Sequence, residues 1–171
     1  MTTLVTDRLI LTPHGPDDFA ALTRLWADAA FTGQIGLPVM SPETVWFRLL
    51  RDIGHWQVFG YGNWAIRLKG DDAYLGSIGL FHYRRGLEPA VDMPEVGWGL
   101  DLAVHGRGFG REAVDAALRH ADRALGLDRT FCIIGPANTP SLKLAARAGF
   151  AQPRPVGYHG ETVTLLERAR P

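Results

Sequence analysis

The sequence predicts a single α+β domain built around a mixed sheet. Strand-like and helix-like segments alternate along all 171 residues. No internal repeat, low-complexity tract or linker interrupts them, and the length suits one domain with a real core better than two. Asn63 to Lys69 and Tyr74 to Phe81 flank the turn KGDDA as an antiparallel hairpin would.

Taken in order, Arg8 to Pro13 reads as a short strand stopped by proline. Asp17 to Ala30 carries Phe19, Leu22, Leu25 and Trp26 at helical spacing, with Asp17 as a candidate N-cap. Ser41 and Pro42 have the residue types of an N-cap and first helical position, and Val45, Trp46, Leu49, Leu50 and Ile53 follow as an apolar face. Glu95 to Val104 reads as a long strand. Val96, Trp98, Leu100, Leu102 and Val104 share the core parity, and Glu95, Gly97, Gly99, Asp101 and Ala103 lie on the other. Glycine inside a strand often marks where another chain or ligand comes close, so two of them beside the Glu95 carboxylate suggest a groove next to a candidate base. Gly108 to Leu125 is an amphipathic helix ended by Gly126. Arg129 to Ile134 is a buried strand holding the one cysteine, Cys132, as a small apolar residue. Pro140 to Ala148 is a short helix, and Glu161 to Leu166 alternates again.

Composition narrows the function. Eighteen basic and eighteen acidic side chains balance, which argues against a nucleic-acid binder. One cysteine and six scattered histidines supply no metal-ligand spacing, so no metal is expected. The start MTTLVTDRL has no apolar signal core, and no apolar run reaches membrane-spanning length, so the cytoplasm is the expected compartment and no membrane partner is expected.

The stretch VHGRGFGREA joins the Glu95–Val104 strand to the next helix. Helix-start N–H groups lack intrahelical partners and carry the positive end of the dipole, and glycine lets a phosphate approach them. The spacing fits neither a P-loop nor a dinucleotide fingerprint, because Arg111 stands where the last glycine of the latter belongs. Asn138 and Ser141 sit at a second strand-to-helix junction, where a turn or cap would also use them.

Together these stretches resemble the GNAT N-acetyltransferase superfamily. His105-Gly106-Arg107-Gly108-Phe109-Gly110 matches its [Q/R]-x-x-G-x-[G/A] motif, with histidine at the leading position. Asn138, Ser141, Gly149 and Phe150 match its N-x-x-S motif ending in G-F. TDRLILTP and YGNWAIRLKGDDAYLGSIGL resemble the branch that includes ribosomal-protein alanine N-acetyltransferases. The resemblance implies a mostly antiparallel mixed sheet of six to seven strands, splayed between the fourth and fifth, with about four flanking helices. Counted from Arg8–Pro13, these two are the Glu95–Val104 and Arg129–Ile134 strands.

It also implies acetyl-CoA as cosubstrate, held by Leu102, Ala103, Val104, His105, Arg107, Gly108, Phe109, Gly110, Arg111, Glu112, Asn138 and Ser141. Glu95 is the expected general base, and Ser141 the group that orients or protonates the departing thiol, because Ala145 stands where many members carry tyrosine. The expected acceptor is a small-molecule amine or a protein N-terminus, with Phe31 to Tyr61, Tyr83 to Asp92 and Tyr158 shaping its pocket and Glu88, Asp92 and Glu95 giving an acidic approach. A noncatalytic acyl-CoA-binding domain is the alternative. A homodimer is compatible with the sequence.

Overall fold

The computed structural model describes residues 1–171. Its strands are β1 (Leu4–Val5), β2 (Leu9–Pro13), β3 (Asn63–Leu68), β4 (Tyr74–Phe81), β5 (Glu95–Leu100), β6 (Arg129–Ile134), β7 (Ala151–Tyr158) and β8 (Glu161–Ala169). Its helices are α1 (Phe19–Trp26), α2 (Ala29–Gln34), α3 (Pro42–Phe59), α4 (Phe109–Arg123) and α5 (Thr139–Arg147). One sheet holds all eight strands in the order β1-β2-β3-β4-β5-β6-β8-β7. Every neighbouring pair is antiparallel except β5 and β6, which run parallel and meet at one position, Glu95 opposite Phe131. The sheet therefore splays between the two strands the sequence marks out.

The sheet has one or two strands more than expected. The added ones are the two-residue β1 and the edge strand β7, and the tail is a complete β7–β8 hairpin. The helix expected over Asp17–Ala30 is two helices. A 3-10 turn over Pro16–Asp18 leads into α1, and the Asp28 carboxylate accepts the Ala30 N–H at 2.8 Å to start α2. The Glu95–Val104 strand ends early, at Leu100. Asp101 turns the chain into a 3-10 turn over Leu102–Val104, its carboxylate accepting the Ala103 N–H at 2.9 Å.

Other caps match their residue types. Ser41 accepts the Thr44 N–H at 3.2 Å with Pro42 in the first turn, a cap worth about 1 kcal/mol. Val45 and Leu49 of that helix are fully buried, while Trp46 and Leu50 are exposed beyond the expected apolar face. The main core lies between α4 and the sheet, where Ala113, Val114 and Ala117 pack with Leu9, Trp64, Ile78 and Val96. Small residues on α4 let it lie close to the strands, and each buried large aliphatic side chain contributes ~1.5–3 kcal/mol. Cys132 is buried, and burial pushes its thiol pKa up. No helix is long and apolar enough to cross a membrane, and no group of His, Cys, Asp or Glu is arranged to hold a metal ion.

His55 ties α3 to the sheet. Its Nδ1 donates to the Tyr61 carbonyl at 2.7 Å, and its Nε2 accepts the His82 N–H at 2.9 Å, so the ring is neutral in place. Burial holds the His55 pKa below its usual 6.5, and burial lowers that of His14 as well. The unfolded chain then takes up these protons first, so stability falls as pH drops below about 6.5 and keeps falling through the lowered folded values. A thermal midpoint that declines between about pH 7 and pH 5 is expected, and a flat midpoint there contradicts this account.

Candidate functional site

A cleft of about 460 Å³ opens where β5 leaves β6. Trp98, Gly99 and Leu100 of β5 form one wall, the turn and first residues of α4 its floor, and Asn138, Pro140, Ser141, Leu144 and Arg147 the opposite wall. Phe31, Gln34 and Ile35 close one end.

The floor follows from local chemistry. Gly108 sits just before α4 at φ +83°, a left-handed conformation that costs side-chain-bearing residues ~1–2 kcal/mol. The first helical bond runs from the Glu112 N–H to the Gly108 carbonyl at 3.1 Å. The N–H groups of Phe109, Gly110 and Arg111 therefore have no acceptor within the protein, and all three residues line the cleft. A row of free donors at the positive end of a four-turn helix is an anion cradle. Arg111 and Arg147 add positive charge, although Arg111 is shared with Asp115 at 2.7 Å. On the opposite wall, Asn138 caps α5 by accepting the Ser141 N–H at 3.2 Å. Ser141 is the one hydroxyl-bearing residue of the cleft wall. His105 Nε2 lies 3.1 Å from the Leu100 carbonyl, to which it donates.

Of the residues expected to hold the cosubstrate, Val104, His105, Gly108, Phe109, Gly110, Arg111, Asn138 and Ser141 line this cleft. Leu102, Ala103, Arg107 and Glu112 do not. Leu102 belongs to the 3-10 turn, and the Ala103 N–H is taken by Asp101. The Arg107 guanidinium lies over the Phe109 ring at 4.8 Å, and its carbonyl accepts from Arg8 at 2.9 Å. The Glu112 carboxylate faces the β1–β2 connection, where Thr6 donates at 2.6 Å and the Arg8 N–H at 2.9 Å. Burial alone would raise the Glu112 pKa, but these hydrogen bonds outweigh it and hold the group below the usual carboxylate range. The Glu112 carboxylate thus ties the turn to the β1–β2 connection. Sequence reasoning missed Arg147, whose placement at the cleft depends on α5 docking across the splay.

Glu95 is buried at the apex of the splay and lies outside the cleft wall. Arg85 Nη2 donates to one carboxylate oxygen at 3.0 Å, and Arg85 Nε bonds the other. Arg85 Nη1 donates to the hydroxyl of Tyr158, the last residue of the edge strand β7, at 2.5 Å. Burial raises the Glu95 pKa and Arg85 pulls against it, the net direction being upward. The strand face that carries Glu95 is not an open groove. A Cβ on Gly97 would meet the Phe81 ring at 2.8 Å, and one on Gly99 the Phe31 ring at 3.0 Å. The two glycines admit aromatic rings, and only Gly99 also reaches the cleft. The expected acidic approach is also altered. Asp92 accepts from His82 at 2.9 Å and Glu95 is neutralised by Arg85, so neither carboxylate stands alone.

The family model described as an acetyltransferase (GNAT) domain matches residues 8–151. A Bordetella pertussis protein assigned to the GnaT-family acetyltransferases is 32% identical, with a TM-score of 0.85, covering 99% of this chain and 100% of its own. An acetyltransferase from Agrobacterium tumefaciens is 28% identical with a TM-score of 0.83, over 98% and 94% of the two chains. An uncharacterized N-acetyltransferase of Bacillus licheniformis, p20, is 26% identical over 88% of this chain and 83% of its own.

Proposed function

Because the chain belongs to the GNAT acetyltransferase family, we propose that it moves an acetyl group from acetyl-CoA to a primary amine, of a small molecule or a protein N-terminus. The observation that carries this reading is the row of unclaimed N–H groups at Phe109, Gly110 and Arg111 on the floor of the splay cleft. Several charge-assisted hydrogen bonds from such a row suit a diphosphate. Acetyl-CoA, when bound, supplies an activated thioester.

The chain's residues then have separate tasks. The N–H row and the Arg111 and Arg147 side chains hold the diphosphate, and His105, Asn138 and Ser141 face the rest of the molecule along the cleft. A free alkyl amine has a pKa near about 10.4 and arrives protonated, so it must lose a proton before it attacks. Glu95 takes that proton through a water. Each of its oxygens keeps a lone-pair site beyond the Arg85 bonds, and burial poises the carboxyl above its ordinary range. Ser141 returns a proton to the departing sulfur, because Ala145 is buried in the core and no tyrosine lines the cleft.

The commitment of both Glu95 oxygens to Arg85 favours one rival, a domain that binds acyl-CoA without turning it over. Incubating the protein with acetyl-CoA and a panel of amines, with free thiol as readout, separates the two. A transferase releases thiol in step with amine consumption. A binder melts at a higher temperature with CoA yet releases none.

A further inference from the structure

Beside the odd-numbered face of β5, three guanidinium groups sit with only two carboxylates. Arg85 is bound to Glu95 and Tyr158. Arg51 is bound to Asp52 at 2.9 and 3.1 Å, and its guanidinium lies 4.3 Å from the centre of the Tyr83 ring. The Tyr83 hydroxyl also donates to Asp52, at 2.7 Å. Arg48, one helical turn before Asp52 on α3, is partly buried over the Trp26 indole at 4.1 Å. No carboxylate lies within ion-pair reach of it, and no acceptor in the protein takes a hydrogen bond from it. Burial and the neighbouring Arg51 push its pKa down only to about 10, so it stays charged at neutral pH. His14 and His55, also nearby, are held neutral by burial. The cluster thus retains one uncompensated positive charge.

The Arg48 nitrogens have no acceptor in the protein and stay open to solvent, so all five donors are free to meet an anion. Its neighbours connect it to the cleft. Trp26 meets Phe31 edge-on at 5.2 Å, and Phe31 lines the cleft above Gly99. On the other side, Tyr83 stacks on Phe81, which covers Gly97 next to Glu95. Arg48 therefore flanks the strand face between the cleft and the Glu95–Arg85 pair.

Resting on the transferase reading above, we infer that the acceptor is an amine that also carries a carboxylate, and that Arg48 receives this carboxylate and sets acceptor specificity. The charge balance supports it. A simple alkylammonium enters a site with a positive surplus and is repelled, whereas an amino acid enters as a zwitterion and brings the missing negative charge. Removing the proton from its ammonium leaves the anion that Arg48 compensates.

The test is a binding comparison that does not depend on turnover. Free amino acids and their carboxamides, matched in side chain, are titrated calorimetrically into the CoA-saturated protein. At least one amino acid is expected to bind about tenfold or more tightly than its amide. Arg48→Met should remove that preference and Arg48→Lys should keep part of it. If the amides bind as tightly as the acids, if no member binds, or if Arg48→Met preserves the preference, the inference is overturned. Should Arg48→Met fail to fold, the wild-type acid-to-amide ratio and the Arg48→Lys ratio decide. A protein that binds CoA but releases thiol with no amine defeats the transferase reading, while the acid-to-amide ratio still judges the role of Arg48.

Discussion

Glu95→Gln is expected to lower kcat by about 10²- to 10⁴-fold while leaving CoA affinity within about twofold. The carboxamide matches the carboxylate in size but cannot take a proton from an ammonium. It also turns an NH2 group toward one of the two Arg85 nitrogens that now bond the carboxylate. Because the cleft floor is built by α4 and not by Glu95, CoA binding should be spared.

The pH profile tells a base from a strut. Burial raises the Glu95 pKa, so activity in the wild type should fall with decreasing pH through a value above the ordinary carboxylate range. Stability should run the other way. The folded state holds this proton more tightly than the unfolded chain, so the group's contribution is lost as pH rises through the raised value. Arg85→Gln provides the contrast. If Glu95 served only to hold Arg85, the two variants would lose equal activity and the acidic limb would stay where it is in the wild type. Wild-type kcat in Glu95→Gln would remove the residue from the reaction.

Gly108→Val should weaken CoA binding by about 100-fold or more, through loss of hydrogen bonds to a charged group at about 1.5–3 kcal/mol each. At φ +83° the new side chain is strained by ~1–2 kcal/mol. Its Cβ would stand 3.3 Å from Arg8 Nη2, and Arg8 braces the turn through the Arg107 carbonyl and Glu112. The helix start must shift, and its donors lose their aim. Gly110→Ala is the matched control, because that residue has no positive φ and its Cβ would meet Leu144 and Leu100 at 3.5 and 3.7 Å, ordinary contacts. Its thermal midpoint should hold or rise, alanine being favoured over glycine in a helix by up to about 1 kcal/mol. Normal CoA affinity in Gly108→Val would contradict the phosphate placement, and equal loss of stability in both variants would contradict the strain.

Features that depend on near neighbours in the chain were legible. Ser41 and Pro42 start α3, Asn138 caps α5, and the strand–glycine–helix corner is where the cleft opens. β7 was not. Its prolines, Pro153 and Pro155, argue against a strand, yet β7 is an edge strand, where proline costs no ladder bond on the outer side. The break between α1 and α2 hid inside a continuous apolar period, because Asp28 can ride on a helix surface as readily as cap one. The strand after Pro94 ends four residues before its apolar alternation does, since Leu102 and Val104 keep strand parity while Asp101 has already turned the chain. Gly97 and Gly99 suggest a groove beside Glu95 in the sequence, but the groups that come close are the Phe81 and Phe31 rings, contributed by other elements. The Glu95–Arg85 pair and the unpaired Arg48 are tertiary facts. They depend on which side chains converge after the sheet and α3 have packed, and spacing carries no record of that.

The central claim is that free main-chain N–H groups at the start of α4 grip the diphosphate of CoA. Backbone amide NMR during a CoA titration tests it most directly. The account predicts that the largest shifts fall on Phe109, Gly110 and Arg111, whose N–H groups have no partner in the free protein. A second cavity, where Arg119, Arg123, Arg168 and Arg170 are partly offset by Asp115 and Asp122 and which Arg111 also borders, is the competing anion site. Largest shifts there, with the three amides of the α4 start unmoved, would contradict it.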